Sequence, residues 1–144
     1  MCLLVLAWRC HADHKVVLAA NRDEFHGRAA APMAVWDSPP HLLGGRDLQA
    51  GGAWLGIDRR RRFGIITNYR EMTRAEPGTP SRGELIPRYL EAHESAGEYL
   101  ARLKADAERY AGFSLLLGDG EALWYASNRS DTFARQLEPG VYGL

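Results

Sequence analysis

Cysteine is scarce in this 144-residue chain; the two present are Cys2 and Cys10. If one extended strand joins them, their Cα atoms lie on the order of 26 Å apart at about 3.3 Å per residue. A disulfide needs less than about 7 Å, so no disulfide framework is expected. Net charge is absent as well. Eighteen basic residues balance eighteen acidic ones, which removes any overall electrostatic case for nucleic acid or an anionic membrane. No apolar run approaches the roughly 20 residues of a membrane span. The apolar stretch 2–8 lacks a basic n-region and is too short for a secretory h-region. It reads as a first strand in a cytoplasmic protein. Internal repeats and low-complexity tracts are missing, and so is a GxSxG elbow. The pairs Gly44-Gly45 and Gly51-Gly52 fit neither a phosphate loop nor a dinucleotide fingerprint. The stretch Cys10-His11-Ala12-Asp13-His14 matches no closed zinc spacing. It is read as a polar loop, and no metal or cofactor is expected. With 46% hydrophobic and 25% charged residues, what remains is one globular domain.

The chain is instead organised around Asn21-Arg22-Asp23-Glu24. These charges follow the apolar run 16–20, and charge at the end of a core strand is costly unless it is paired or used. Residues 3–8 and 15–20 form two strands joined by the polar link 9–14, a hairpin. A turn centred near His11 and Ala12 gives opposed residues whose numbers sum to about 23. Cys2 then faces Asn21, with Arg22 and Asp23 beside it.

Further along, 28–40 is Ala/Pro-rich and reads as an irregular connection anchored by Val35-Trp36. Residues 53–57 and 63–67 are strand-like. They are joined through Asp58 and Arg59-Arg60-Arg61-Arg62, a charge run expected at a solvated hairpin tip. The same centring returns Asn68 and Tyr69 beside Gly51-Gly52, where glycine permits close backbone approach. Ser81-Arg82-Gly83-Glu84 and Ser95-Ala96-Gly97-Glu98 fit the capping-box pattern. The first opens a helix with Leu85, Ile86, Tyr89 and Leu90 at helical spacing. Its regular part is expected near Pro87, which removes a backbone donor. The second opens a helix with Tyr99, Leu100, Leu103, Ala107 and Tyr110 on one face. Residues 113–117 and 122–126 make a third hairpin around Gly118-Asp119-Gly120. Strands, two helices, then strands, joined by hairpins, predict an α+β fold of antiparallel sheets with helices outside.

For chemistry, Cys2 is the candidate nucleophile. Initiator Met is usually trimmed before a small residue, which would leave a thiol and a free amine on one residue. A terminal amine titrates at about 7.7–8.0 and an ordinary thiol at about 8.5. Transfer of the thiol proton to the amine is therefore nearly thermoneutral, as in the threonine and N-terminal amine pairing. Arg22 supplies a nearby cation that favours thiolate. Asp23 is placed to hold the ammonium, and the Asn68 amide to serve an oxyanion hole. The competing readings are a plain core cysteine, a surface ion-pair cluster and a turn asparagine.

Met1-Cys2, Leu18-Ala19-Ala20-Asn21-Arg22-Asp23-Glu24-Phe25, Gly51-Gly52-Ala53-Trp54-Leu55-Gly56-Ile57, Thr67-Asn68-Tyr69-Arg70, Ser81-Arg82-Gly83-Glu84-Leu85, Gly112-Phe113-Ser114-Leu115 and Pro139-Gly140-Val141-Tyr142-Gly143-Leu144 occur in that order. Together they resemble the NRDE family, also called the transport and Golgi organisation protein family. That family is similar to N-terminal nucleophile hydrolases, which implies an αββα sandwich and cleavage of a linear C–N amide bond. The resemblance matches Cys2 to the nucleophile, Asp23 to the acidic partner of its amine and Asn68 to the oxyanion asparagine. Arg22 is a looser match. A second function class comes with the same resemblance: non-catalytic handling of haem or lipid. The match covers the N-terminal half or so of a family member. The implied sandwich is then incomplete in residues 1–144, and the second oxyanion asparagine lies beyond Leu144.

Overall fold

Leu4, Leu6 and Trp8 are buried and alternate with half-exposed or exposed Leu3, Val5 and Ala7, so β1 (Leu3–Trp8) has one core face. A computed structural model describes residues 2–69 and 78–144. Met1 and Arg70, on which part of the sequence reading falls, lie outside them. β1 pairs antiparallel with β2 (Val16–Asn21), from Leu3 opposite Asn21 to Trp8 opposite Val16. Opposed numbers therefore sum to 24, not 23. The connecting loop is closed by the Arg9 amide donating to the Lys15 carbonyl at 2.7 Å. That bond centres the turn on Ala12 and moves the register by one. On its other edge β1 pairs with β10 (Gly140–Gly143), giving a three-stranded sheet in the order β10-β1-β2.

A second sheet runs in chain order. It contains β3 (Ala30–Val35), β4 (Leu43–Asp47), β5 (Leu55–Ile57), β6 (Phe63–Asn68), β7 (Phe113–Gly118), β8 (Leu123–Ser127) and β9 (Ala134–Gln136), all antiparallel. The second and third expected hairpins are present as β5-β6 and β7-β8. Part of the connection expected to be irregular is the strand β3. Its Pro32 is accommodated because β3 is an edge strand whose register shifts between Ala31 and Ala34. Trp36 is buried as an anchor, whereas Val35 is exposed.

Two helices follow β6. Residues 82–84 form a 3₁₀ turn, and α1 (Leu85–Glu91) continues from it with Pro87 in its first turn. The expected capping box at Ser81 does not form. Glu84 instead accepts a hydrogen bond from the Tyr110 hydroxyl at 2.7 Å and pairs with Arg88 at 3.2 Å. α2 (Ala96–Leu103) does carry its box, with the Glu98 amide donating to Ser95 Oγ and the Ser95 amide donating to the Glu98 carboxylate.

Side-chain alternation sorts the layers. Phe113, Leu115 and Leu117 of β7 face α1 and α2, in one cluster with Leu85, Tyr89, Tyr99 and Leu100. Leu116 and Ile65 point the other way and pack with Leu4, Leu6 and Trp8. The order is thus helices, seven-stranded sheet, three-stranded sheet, an α+β arrangement. An αββα sandwich has a second helical layer; among the described residues there is one. The outer face of the small sheet presents Leu3, Val5, Val17 and Val141 to solvent. A cavity of about 570 Å³ is bordered by Leu116, Tyr125, Leu137 and Tyr142.

The arginine run departs from the sequence expectation. Arg62 is buried, with its Nε donating to Asp58 at 2.9 Å. The same guanidinium donates to the carbonyls of Ala92, at 2.6 Å, and Leu90, at the end of α1. Burial opposes the charge of Asp58, but the Arg62 amide and guanidinium outweigh it and hold the carboxyl below its usual range. The helix end, where carbonyls lack partners, selects one arginine of four for the interior. Replacing it should strip the Ala92 carbonyl of its donor and leave Asp58 and the Leu90 carbonyl to the more exposed Arg60, at 3.2 and 2.8 Å. Arg62→Ala is expected to cost about 3–5 kcal/mol in denaturant unfolding. Arg61→Ala, on the exposed side of the same turn, should cost under about 0.5 kcal/mol.

Candidate functional site

The hairpin brings the start of β1 to the end of β2. The Leu3 amide donates to Asn21 Oδ1 at 3.0 Å, which pins the first residues against the tetrad. Beyond that bond the chain runs on, and the Asp23 amide donates to Cys2 Sγ at 3.4 Å. Cys2 is partly buried and has no disulfide partner. It borders a cavity of about 140 Å³ that Arg22, Asp23 and Asn68 also line. The four residues singled out from the sequence therefore share one concave site, although a one-residue change of register places Cys2 level with Arg22 instead of Asn21.

Each wall has a local cause. Asn68 ends β6, opposite Phe113 of β7. Among the described residues its side-chain amide has no hydrogen-bond partner, so its donors are available to the cavity. Gly52 and Ala53 form the next wall. The Ala53 amide donates to the Gly83 carbonyl at 3.0 Å. A Cβ on Gly52 would meet the Gly83 backbone at 2.4 Å, so glycine is required for this contact. The close approach expected at Gly51-Gly52 is thus real, but its partner is the turn 81–83, and that turn closes the site.

Charge on this rim is organised more widely than the tetrad. Arg22 lies 3.5 Å from the Glu24 carboxylate. Arg28 approaches Glu24 at 3.9 Å and Asp47 at 2.7 Å, linking the end of β2 to the end of β4. Asp47 also accepts from the amides of Gln49 and Ala50 at 2.9 and 3.2 Å. Burial works against its charge, but the Arg28 hydrogen bond and the two amides prevail, and its carboxyl sits below the ordinary carboxylate range. Sequence reading passed over Arg28 and Asp47. The signal for Asp47 was its place before Leu48-Gln49-Ala50-Gly51, an aspartate-led turn. Arg28 carried no local signal, because its partners are four and nineteen residues away. Arg22, expected to serve Cys2, has its charge directed to Glu24.

Asp47 supports a pH prediction. A carboxyl depressed on folding stabilises the native state above its unfolded value, about 3.9, and loses that contribution as pH falls through the folded value. Asp47→Asn should cost about 1–3 kcal/mol at pH 7 by denaturant unfolding. The gap from the parent protein should close as the pH drops below about 4.

Among the described residues no group of histidine, cysteine and acidic side chains is arranged to hold a metal ion, and no helix is long and apolar enough to cross a membrane. The sequence matches the family Transport and Golgi organisation 2 over residues 1–144. The Transport and Golgi organization 2 homolog of Mus musculus is 35% identical over 139 residues, 91% of this chain and 50% of the mouse protein. The Homo sapiens homolog is 32% identical over the same share of each. A Saccharomyces cerevisiae protein, YGR127W, is 29% identical over 83% of this chain and 42% of its own length. The chain spans about half the length of the curated relatives it matches. With its whole length matched, from the N-terminal Met1-Cys2 to the closing Gly143-Leu144, this chain belongs to the Transport and Golgi organisation 2 family.

Proposed function

We propose that this chain is an N-terminal nucleophile hydrolase-like domain that cleaves a linear C–N amide bond through Cys2. Removal of Met1 makes the Cys2 amine free. The thiol gives its proton to that amine as the sulfur attacks the substrate carbonyl. The Asn68 amide donates to the oxyanion so formed. Collapse breaks the C–N bond, and the leaving amine takes the proton, leaving a thioester on Cys2. Water then attacks the thioester, releases a carboxylic acid and restores the thiol. Asp23 holds the Cys2 ammonium, and Arg22 acts through Glu24 to keep the 22–24 segment in place.

The observation that carries this reading is the 3.4 Å contact between the Asp23 amide and the Cys2 sulfur, at the edge of a cavity that Asn68 also lines. Two stacked antiparallel sheets with helices on one side are compatible with an incomplete αββα sandwich. The alternative is a non-catalytic haem or lipid carrier, which the relatives' names for transport and Golgi organisation favour. Against it stands the lining of the cavity. Arg22, Asp23, Glu24, Arg28, Arg46, Asp47 and Arg82 surround it, and burying an apolar ligand there would strip water from charges.

Intact-mass measurement should show the protein without Met1. Cys2→Ala should abolish turnover of amide substrates, and Asn68→Ala should lower kcat about 10²–10³-fold. Retained Met1, or full activity in Cys2→Ala, would sink the hydrolase reading. Saturable haem binding that survives Cys2→Ala, without amide cleavage, would favour the carrier.

A further inference from the structure

Among the described residues, Arg22, Arg28, Arg46 and Arg82 border the Cys2 cavity, together with Asp23, Glu24 and Asp47. Arg22 and Arg28 are ion-paired with Glu24 and Asp47. Arg82 donates to the Gly112 carbonyl at 2.7 Å. Arg46 differs from all of these. Among the described residues it meets no carboxylate or carbonyl, and its guanidinium lies 4.5 Å over the ring of Trp36.

That seat is rigid. Trp36 is buried, its indole N–H donates to the Gly44 carbonyl at 3.2 Å, and its own amide donates to the Leu42 carbonyl at 2.8 Å. A guanidinium stacked on an aromatic face is attracted by the ring and keeps its in-plane N–H edge for a ligand. Its planar fork matches the two oxygens of a carboxylate. Beside it the cavity wall is apolar, from Ala53, Trp54 and Ile66. At about 140 Å³ the space suits a short arm.

We infer that the cavity takes an amide whose short arm ends in a carboxylate, an N-acyl amino acid, with Arg46 as the carboxylate-binding residue. The inference rests on the amidohydrolase reading for its amide bond, but the carboxylate subsite can be tested without turnover. The probes are N-octanoylglycine and its neutral counterpart N-octanoylglycinamide. Binding of each to the Cys2→Ala protein is measured by calorimetry, and hydrolysis of each by the parent protein is followed by release of the amine.

The acid should bind at least tenfold more tightly than the amide. Arg46→Gln should erase that ratio while the neutral amide binds as before, and Arg46→Lys should keep part of it. In the active protein Arg46→Gln should raise KM for the acid with little change in kcat. Arg46 is exposed, so the unfolding midpoint should not move in either variant. Equal binding of acid and amide, a preference that survives Arg46→Gln, or no binding of either probe overturns the subsite. A preference lost in Arg46→Gln with neither compound cleaved upholds the subsite and defeats the hydrolase reading. Cleavage of both compounds with equal efficiency does the reverse.

Discussion

Everything at the candidate site hangs on the pairing of β1 with β2. The ladder from Leu3–Asn21 to Trp8–Val16 carries the chain start to the point where an apolar strand gives way to charge. Strand pairing of this kind is set by which face must be buried, and a one-residue slip would invert every side chain. Leu4, Leu6 and Trp8 therefore do two things. They fill the space between the sheets, and by fixing the register they hold Cys2 beside Asp23. Were that face polar, the burial that sets this register would be lost.

Around this point the charges form a brace more than an array of separate catalytic groups. Arg28 ties Glu24 to Asp47, so the segment after β2 is fastened to the end of β4. Asp47 is in turn held by the turn that follows it. Arg22 belongs to the same brace through Glu24. Arg46 sits next to Asp47 in sequence yet takes no part in it. Its neighbour is an aromatic ring, the buried indole of Trp36.

The helices occupy one side of the molecule. Their contact with the large sheet is completed by Arg62, which closes the end of α1 from the β5-β6 turn. The small sheet has no comparable cover among the described residues and shows Leu3, Val5, Val17 and Val141 on its outer face. An apolar sheet face of this kind is the reverse of what single exposed residues on an ordinary surface produce. It coincides with a chain that spans half the length of its mouse and human relatives.

Much of this was legible in the residues themselves. Apolar, aromatic and β-branched runs marked β1, β6 and β7, the Ser95 and Glu98 pair marked the start of α2, and Cys2, Arg22, Asp23 and Asn68 did come to one cavity. These are local signals, readable because strand-like composition and capping geometry are set within a few residues. The β3 strand escaped notice because its Pro32 speaks against a strand unless the strand lies at an edge, and edge position is a property of the whole sheet. Arg62 could not be told from Arg59, Arg60 and Arg61, since the carbonyls that bury it belong to residues 28 and 30 positions away. Arg28 and Asp47 were invisible as a pair for the same reason. Residue type and short-range pattern determined the strands, the helices and the candidate nucleophile. Tertiary packing alone decided which charges are braced and which one stacks on Trp36, because a charge acquires its role from partners that only the folded chain brings within reach.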